Sequence, residues 1–177
     1  MEKKSSTMLT PALIYAGIIV GVLIIHSIIV DILEVNFSTY NRIAGSVLPL
    51  AGVVIAIYAF RKEYNNDIIT YGKALKFGIL VSLLIGLAAS LFSFLYTHYI
   101  NPELLEIGQQ MAEEKWIEKG MSDEMIELAI EQQKKFQKPV ILIVFGTLIT
   151  TFFGFIVSLI AASFLKKEPQ DPFAGVE

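Results

Sequence analysis

Four stretches of this chain contain no Asp, Glu, Lys or Arg: residues 9–30, 43–60, 77–100 and 139–165. Each reaches or approaches the roughly 20 apolar residues that cross about 30 Å of hydrocarbon at about 1.5 Å per helical residue. A soluble helix of that length usually keeps a polar stripe where it meets water. Charge is also too scarce to wrap four such rods: 18% of the 177 residues are charged, against about 25% in an ordinary soluble domain. The expected fold is all-α, an integral membrane four-helix bundle forming a single domain over residues 1–177, with the lipid bilayer as its immediate partner. Its spans are expected at about 10–30, 43–60, 74–100 and 139–165.

Composition excludes several chemistries. Without cysteine there is neither a disulfide framework nor a thiolate metal site. No basic block of the kind that binds nucleic acid is present, and the net charge is −3. The start, MEKKSSTMLTPALIYAGIIVGVLIIHSIIV, has the charged head of a secretory signal. Its apolar region is too long for one and no A-x-A-like cleavage site follows, so it is expected to be a retained signal anchor.

Local signals divide the chain. Thr10-Pro11 offers a hydroxyl N-cap and a proline at N1, where the missing N–H costs nothing. Pro49 falls inside the second span and should kink it. RKEYNNDIITYGKALK (61–76) connects the second and third spans, with Asn65-Asn66-Asp67 as its turn and Lys73 and Lys76 placed to snorkel toward phosphates. Residues 101–138 differ in kind. Asn101-Pro102-Glu103 reads as a helix start, and Leu105, Gly108, Ala112 and Trp116 recur at helical spacing. Gly120 suits a C′ residue and Ser122 a second N-cap, with Met121 and Ile126 at the staple positions. This segment is expected to be an extramembrane amphipathic helical hairpin between the third and fourth spans. The tail, 166–177, lacks periodicity and is expected to be disordered.

Lys and Arg near span ends set orientation. With the N-terminus inside, the cytoplasmic pieces carry eight (Lys3, Lys4, Arg61, Lys62, Lys73, Lys76, Lys166, Lys167) and the outer pieces six, in longer segments. This favours cytoplasmic N- and C-termini and an external hairpin, whose segment 97–138 holds nine acids and five lysines.

The oily spans repeatedly give up volume. The third carries Ala74, Gly78, Ser82, Gly86 and Ser90, and the fourth Gly146, Thr150, Gly154, Ser158 and Ala162, each at strict i+4 spacing. The first has a shorter pair, Gly17 and Gly21. Lipid gives no hydrophobic gain for hiding one apolar helix against another. Helices associate where small residues let backbones approach and where hydroxyls can bond across the gap. Spans three and four are therefore expected to pack antiparallel along these rows. FGILVSLLIGLAAS and FGTLITTFFGFIVS look alike because the packing demand is shared.

Groups able to carry chemistry are few. His26 and Asp31 near the outer end of the first span and His98 at the outer end of the third are weak metal-ligand candidates. No span holds a carboxylate at mid-depth, and no H-E-x-x-H, G-x-S-x-G or glycine-rich phosphate loop occurs. No catalytic residue and no cofactor is expected.

The segments RKEYNNDIITYGKALKFGILVSLL, INPELLE and EKGMSDEMIELA together resemble the bacterial membrane family catalogued as domain of unknown function 4199. The resemblance runs from the first span to the last lysines. Its most specific parts are ITYGKALKFG, the Asn101-Pro102-Glu103 start and the GMSDE turn. It implies a protein of similar length with four membrane helices and no assigned activity. Together these readings lead to the expectation of a non-enzymatic multi-pass protein of the bacterial inner membrane. Its hairpin, 101–138, is expected to dock a membrane or periplasmic partner or a second copy, with an oligomeric transporter or channel as the alternative.

Overall fold

The computed structural model describes residues 8–167. Lys3 and Lys4 of the N-terminal head, and residues 168–177 of the tail expected to be disordered over 166–177, lie outside the described residues. The first two residues of that tail are described, Lys166 N–H bonding Ala162 O and Lys167 pairing with Ile69. Six α-helices follow in order: α1 (Leu9–Ile32), α2 (Thr39–Ala59), α3 (Tyr71–Leu95), α4 (Glu103–Glu118), α5 (Asp123–Phe136) and α6 (Pro139–Leu165). π-Helical turns at Phe60–Tyr64 and Tyr96–Ile100 prolong α2 and α3. Leu9–Ile32, Thr39–Tyr64, Tyr71–Ile100 and Pro139–Leu165 are each long and apolar enough to cross a membrane.

Helix ends follow local chemistry and shift some expected boundaries. α1 starts at Leu9 with Met8 as its cap, so Thr10 does not cap it. Pro11 still lies in the first turn, where amides have no intrahelical acceptor. Ser38 caps α2 by accepting the Asn41 N–H at 3.1 Å, which draws Arg42 into the helix ahead of the charge-free run. α4 closes as the sequence implies: Gly120 takes φ +72, its N–H bonds Ile117 O at 2.8 Å, and Met121 N–H bonds Trp116 O at 3.1 Å. This is a Schellman closure, for which glycine has no steric penalty. α1 closes the same way through Glu34, a non-glycine at φ 55.

The chain forms two compact units, Met1–Gly86 with Leu148–Glu177, and Leu87–Thr147. The core of the first gathers Ala12, Ala16 and Val20 from α1, Val53, Ala56 and Ile57 from α2, Ala74, Phe77, Val81 and Ile85 from α3, and Ala161 and Ala162 from α6. The buried row of α1 is thus Ala12–Ala16–Val20. A Cβ on Gly17 or Gly21 would meet nothing within 4 Å, so among the described residues no neighbour approaches the faces these two glycines leave open. The approach of α1 to α2 is made instead at Gly52, where a Cβ would come within 2.9 Å of Ile19.

α3 and α6 interlock through reciprocal pairs. A Cβ on Gly78 would lie 2.8 Å from Ser158 Cβ, and one on Gly154 would run into Ser82. Each step of four up α3 is met by a step of four down α6, so serine faces glycine both ways. The Ser82 and Ser158 hydroxyls do not bond across the gap. Ser82 Oγ donates to Gly78 O at 2.7 Å and Ser158 Oγ to Gly154 O at 2.6 Å. The physical reason is availability: the i−4 carbonyl satisfies the hydroxyl within its own helix, before any partner arrives. In the second unit Ser90 faces Gly146 in the same register. That unit also holds the α4–α5 hairpin, where Gln109 Nε2 donates to Gln137 Oε1 at 3.1 Å and Phe136 meets Phe145 edge to face.

Gly154→Leu or Gly78→Leu should lower stability in detergent by about 1–3 kcal/mol or more, the cost of overpacking a close contact. Gly17→Leu and Gly21→Leu should unfold like the parent. Chemical or thermal unfolding of the purified variants compares them; equal loss at all four positions would contradict the packing described.

Candidate functional site

A dense polar cluster in the first unit forms where α2 gives way to α3. FRKEY winds as a π-turn and NND reverses the chain, with Asn66 at φ 52 and Asp67 at φ 63. Asn and Asp enter this left-handed region more readily than other side chains. Asn65 Nδ2 donates to Phe60 O at 2.8 Å and the Asp67 N–H to Arg61 O at 3.0 Å, which fixes the reversal. The Asp67 carboxylate therefore faces back over the end of α2.

Three cations converge on it. Lys167 Nζ lies 2.6 Å from Oδ2, and Lys62 Nζ 3.2 Å and Arg61 Nε 3.0 Å from Oδ1. The Arg61 Nε contact is one of charge, without the alignment of a hydrogen bond. Arg61 Nη1 instead donates to Leu165 O at 3.1 Å, a carbonyl at the C-terminal end of α6. Ile69 and Lys167 exchange two backbone hydrogen bonds of 2.9 Å. The last residues of α6 are thus tied to the connection by backbone and side chain together.

Aromatic rings floor the cluster. Phe60 stacks on Phe77 with centroids 3.8 Å apart, and Tyr15 meets Phe77 edge-on. Lys73 Nζ sits 5.8 Å over the Phe60 ring and donates to Asn65 Oδ1, while Arg61 and Lys62 lie over Tyr58 at 5.1 and 5.9 Å. Tyr15 OH donates to Glu63 Oε2 at 2.7 Å, bringing in α1. The Lys167 ammonium, helped by Lys62, holds the Asp67 carboxyl down at about 2, against desolvation pushing the other way. Chemically the cluster can lock four helix ends together and concentrate positive charge.

The residues singled out from sequence fall elsewhere. His26 rests 6.3 Å from the Tyr40 ring, and Asp31 Oδ1 accepts from Asn36 Nδ2 at 3.0 Å. In the second unit, His98 Nδ1 lies 3.2 Å from Phe94 O, in its own preceding turn. Among the described residues, no group of three or more His, Asp or Glu side chains is placed to hold a metal ion. Of the small-residue rows, Ala74, Gly78, Ser82, Gly86, Gly154, Ser158 and Ala162 are buried. Thr150 instead lines a cavity of about 370 Å³ beside Pro49, with Gly45, Ser46, Leu50, Ile149 and Phe153. Sequence reading missed the knot around Asp67, taking that residue only as part of a turn. Its partner Lys167 is 100 residues away in sequence.

Four helices suited to a membrane, fastened at one end by a charged knot, define a helical membrane-type architecture. The chain belongs to the family described as "Protein of unknown function (DUF4199)", which matches residues 14–167 and so takes in every member of the knot from Tyr15 to Lys167. No curated protein and no solved structure is matched by the chain.

Because the folded Asp67 pKa is depressed, its ion pairs contribute stability above the ordinary carboxylate value, and that contribution is lost as pH falls toward about 2. Asp67→Ala should lower the melting temperature at pH 7, and the difference from the parent should narrow as pH falls toward 2. Melting curves of both proteins in one detergent, recorded from pH 7 to pH 2, measure this. A constant gap across that range would assign the loss to something other than the charge.

Proposed function

We propose that this chain is a non-catalytic membrane protein whose α4–α5 hairpin docks a protein partner with a basic surface. The observation that carries the reading is the state of the hairpin. In its two helices only Ile126 is buried, while Ile117, Met125, Leu128 and Phe136 are each more than half exposed. Two helices with so little shared interior gain little from each other and leave apolar side chains in want of cover. Segment 97–138 carries nine acids against five lysines. A second copy would bring the same negative charge, whereas a basic partner would be attracted.

In this reading α1, α2, α3 and α6 lie in the bacterial cytoplasmic membrane, both termini are cytoplasmic and the hairpin stands outside. The Lys and Arg distribution supports that orientation. Docking ranks above transport because the cavity beside Pro49 has few polar groups to offer a solute. The Ser46 hydroxyl is spent on Arg42 O at 2.9 Å, and Leu50, Ile149 and Phe153 are apolar.

Photo-crosslinking from position 125 in living cells tests the proposal. One discrete protein adduct should form, and Leu128→Glu should diminish it about tenfold, the scale of losing one good apolar contact, without changing the melting temperature. A topology reporter placed after Gly120 should read as external. Adducts to lipid alone, adducts only to a second copy, or a cytoplasmic reporter signal would each overturn the reading.

A further inference from the structure

Among the described residues, the knot around Asp67 holds more side-chain cations than acids. Lys167, Lys62 and Arg61 all approach one carboxylate within 3.2 Å. Adding the neighbouring Lys73 and Glu63 leaves, among the described residues, four cations against two acids, and the Glu63 carboxylate is turned to the Tyr15 hydroxyl. Like charges gathered at such distances repel, and less water around them strengthens the repulsion. The fold nevertheless holds them in place, through the Tyr58 and Phe60 rings beneath and the Ile69–Lys167 backbone pair beside. Such a cluster is arranged for a further anion.

Donors are free to receive one. The Lys62 and Lys167 side chains are about half exposed, and each ammonium has N–H groups beyond the one directed at Asp67. The start of α3 adjoins them, since Ile69 pairs with Lys167 and Lys73 reaches back to Asn65. There Thr70 takes up the N–H groups of Lys73 and Ala74. Tyr71 and Gly72 occupy the first helical positions, whose amides have no acceptor within the helix and lie at the positive end of its dipole. Space beside Gly72 is open: a Cβ there would meet nothing within 4 Å. Fixed ammonium groups and free amides at a helix start are the donor set that suits phosphate.

We propose that Lys62, Lys73 and Lys167, with the first amides of α3, form a binding site for a phosphate group. The site lies at the ends of three helices suited to a membrane, with Tyr58 and Tyr71 exposed beside it, as rings at headgroup depth are. An anionic phospholipid headgroup is the source its position favours; inorganic phosphate shares the same chemistry. This inference does not depend on what the hairpin docks.

The test uses the full chain in nanodiscs of phosphatidylcholine, with or without a minor fraction of phosphatidylglycerol, and in detergent with added inorganic phosphate. Phosphatidylglycerol should raise the melting temperature, and native mass spectrometry should find it retained on the protein in preference to phosphatidylcholine. Lys73→Gln leaves the three Asp67 ion pairs in place and should weaken that retention about tenfold, as expected for loss of one charge-assisted contact. Lys73→Arg should largely restore it, and Lys119→Gln in the hairpin should have no effect. A matching shift with inorganic phosphate alone would make the soluble anion the ligand of the same site. Equal retention of both lipids with no response to phosphate, or undiminished retention in Lys73→Gln, would overturn the proposal.

Discussion

The closeness of α3 and α6 is the constraint on which the rest of the first unit depends. Gly78, Ser82, Gly154 and Ser158 exchange places across the contact, each serine occupying the space that the opposite glycine leaves. The hydroxyls are satisfied by their own helices, so nothing polar is stranded when the backbones meet. Around this contact the usual order of a soluble protein is inverted. Much of the interior is Ala, Gly and Ser, while Leu13, Ile18, Leu83, Leu87, Phe152 and Ile160 lie exposed. In water that exterior would be an aggregation surface. Against acyl chains it costs nothing, and association must come from close packing rather than from hiding oil.

Close packing alone leaves the helices free to slide, because each small-residue row repeats every four positions. The knot around Asp67 supplies a fixed point. Two backbone bonds join Ile69 to Lys167, Arg61 reaches Leu165 O, and Phe60 lies flat on Phe77. A slip of one turn between α3 and α6, with α2 held to α3 by the Phe60–Phe77 stack, would keep small residues facing small residues but would break the Ile69–Lys167 pair and the Arg61 bond to Leu165 O. The rows therefore set the distance between helices, and the knot sets their register.

How much of this was legible in the sequence follows from the range of each force. The four apolar helices could be read directly, since lipid solvation acts on every residue of a run. Gly120 was legible because its closure is made within five residues of chain. The matching of the α3 and α6 rows could be argued from spacing, but their hydroxyl bonding could not, because either acceptor satisfies the same donor. The Gly17–Gly21 pair shows the limit most plainly. Its spacing equals that of the buried rows, yet α1 turns Ala12, Ala16 and Val20 inward instead. Which face of a helix meets its neighbours is decided by side chains elsewhere in the chain. The Asp67 knot was illegible for the same reason, its members being brought together only once α6 has returned to the start of α3.

The chain's lack of cysteine allows one direct test of the serine–glycine pairing of α3 with α6, at the pair that lies in the second unit. A Cβ on Gly146 would stand 3.2 Å from Ser90 Cβ, near the separation of about 3.5–4.5 Å that a disulfide needs. Mild oxidation of the Ser90→Cys/Gly146→Cys protein in membranes should give rapid, nearly complete crosslinking within one chain. The displaced pair Ala88→Cys/Gly146→Cys should stay reduced. Failure of the first pair to close, or equal closure of both, would contradict the account.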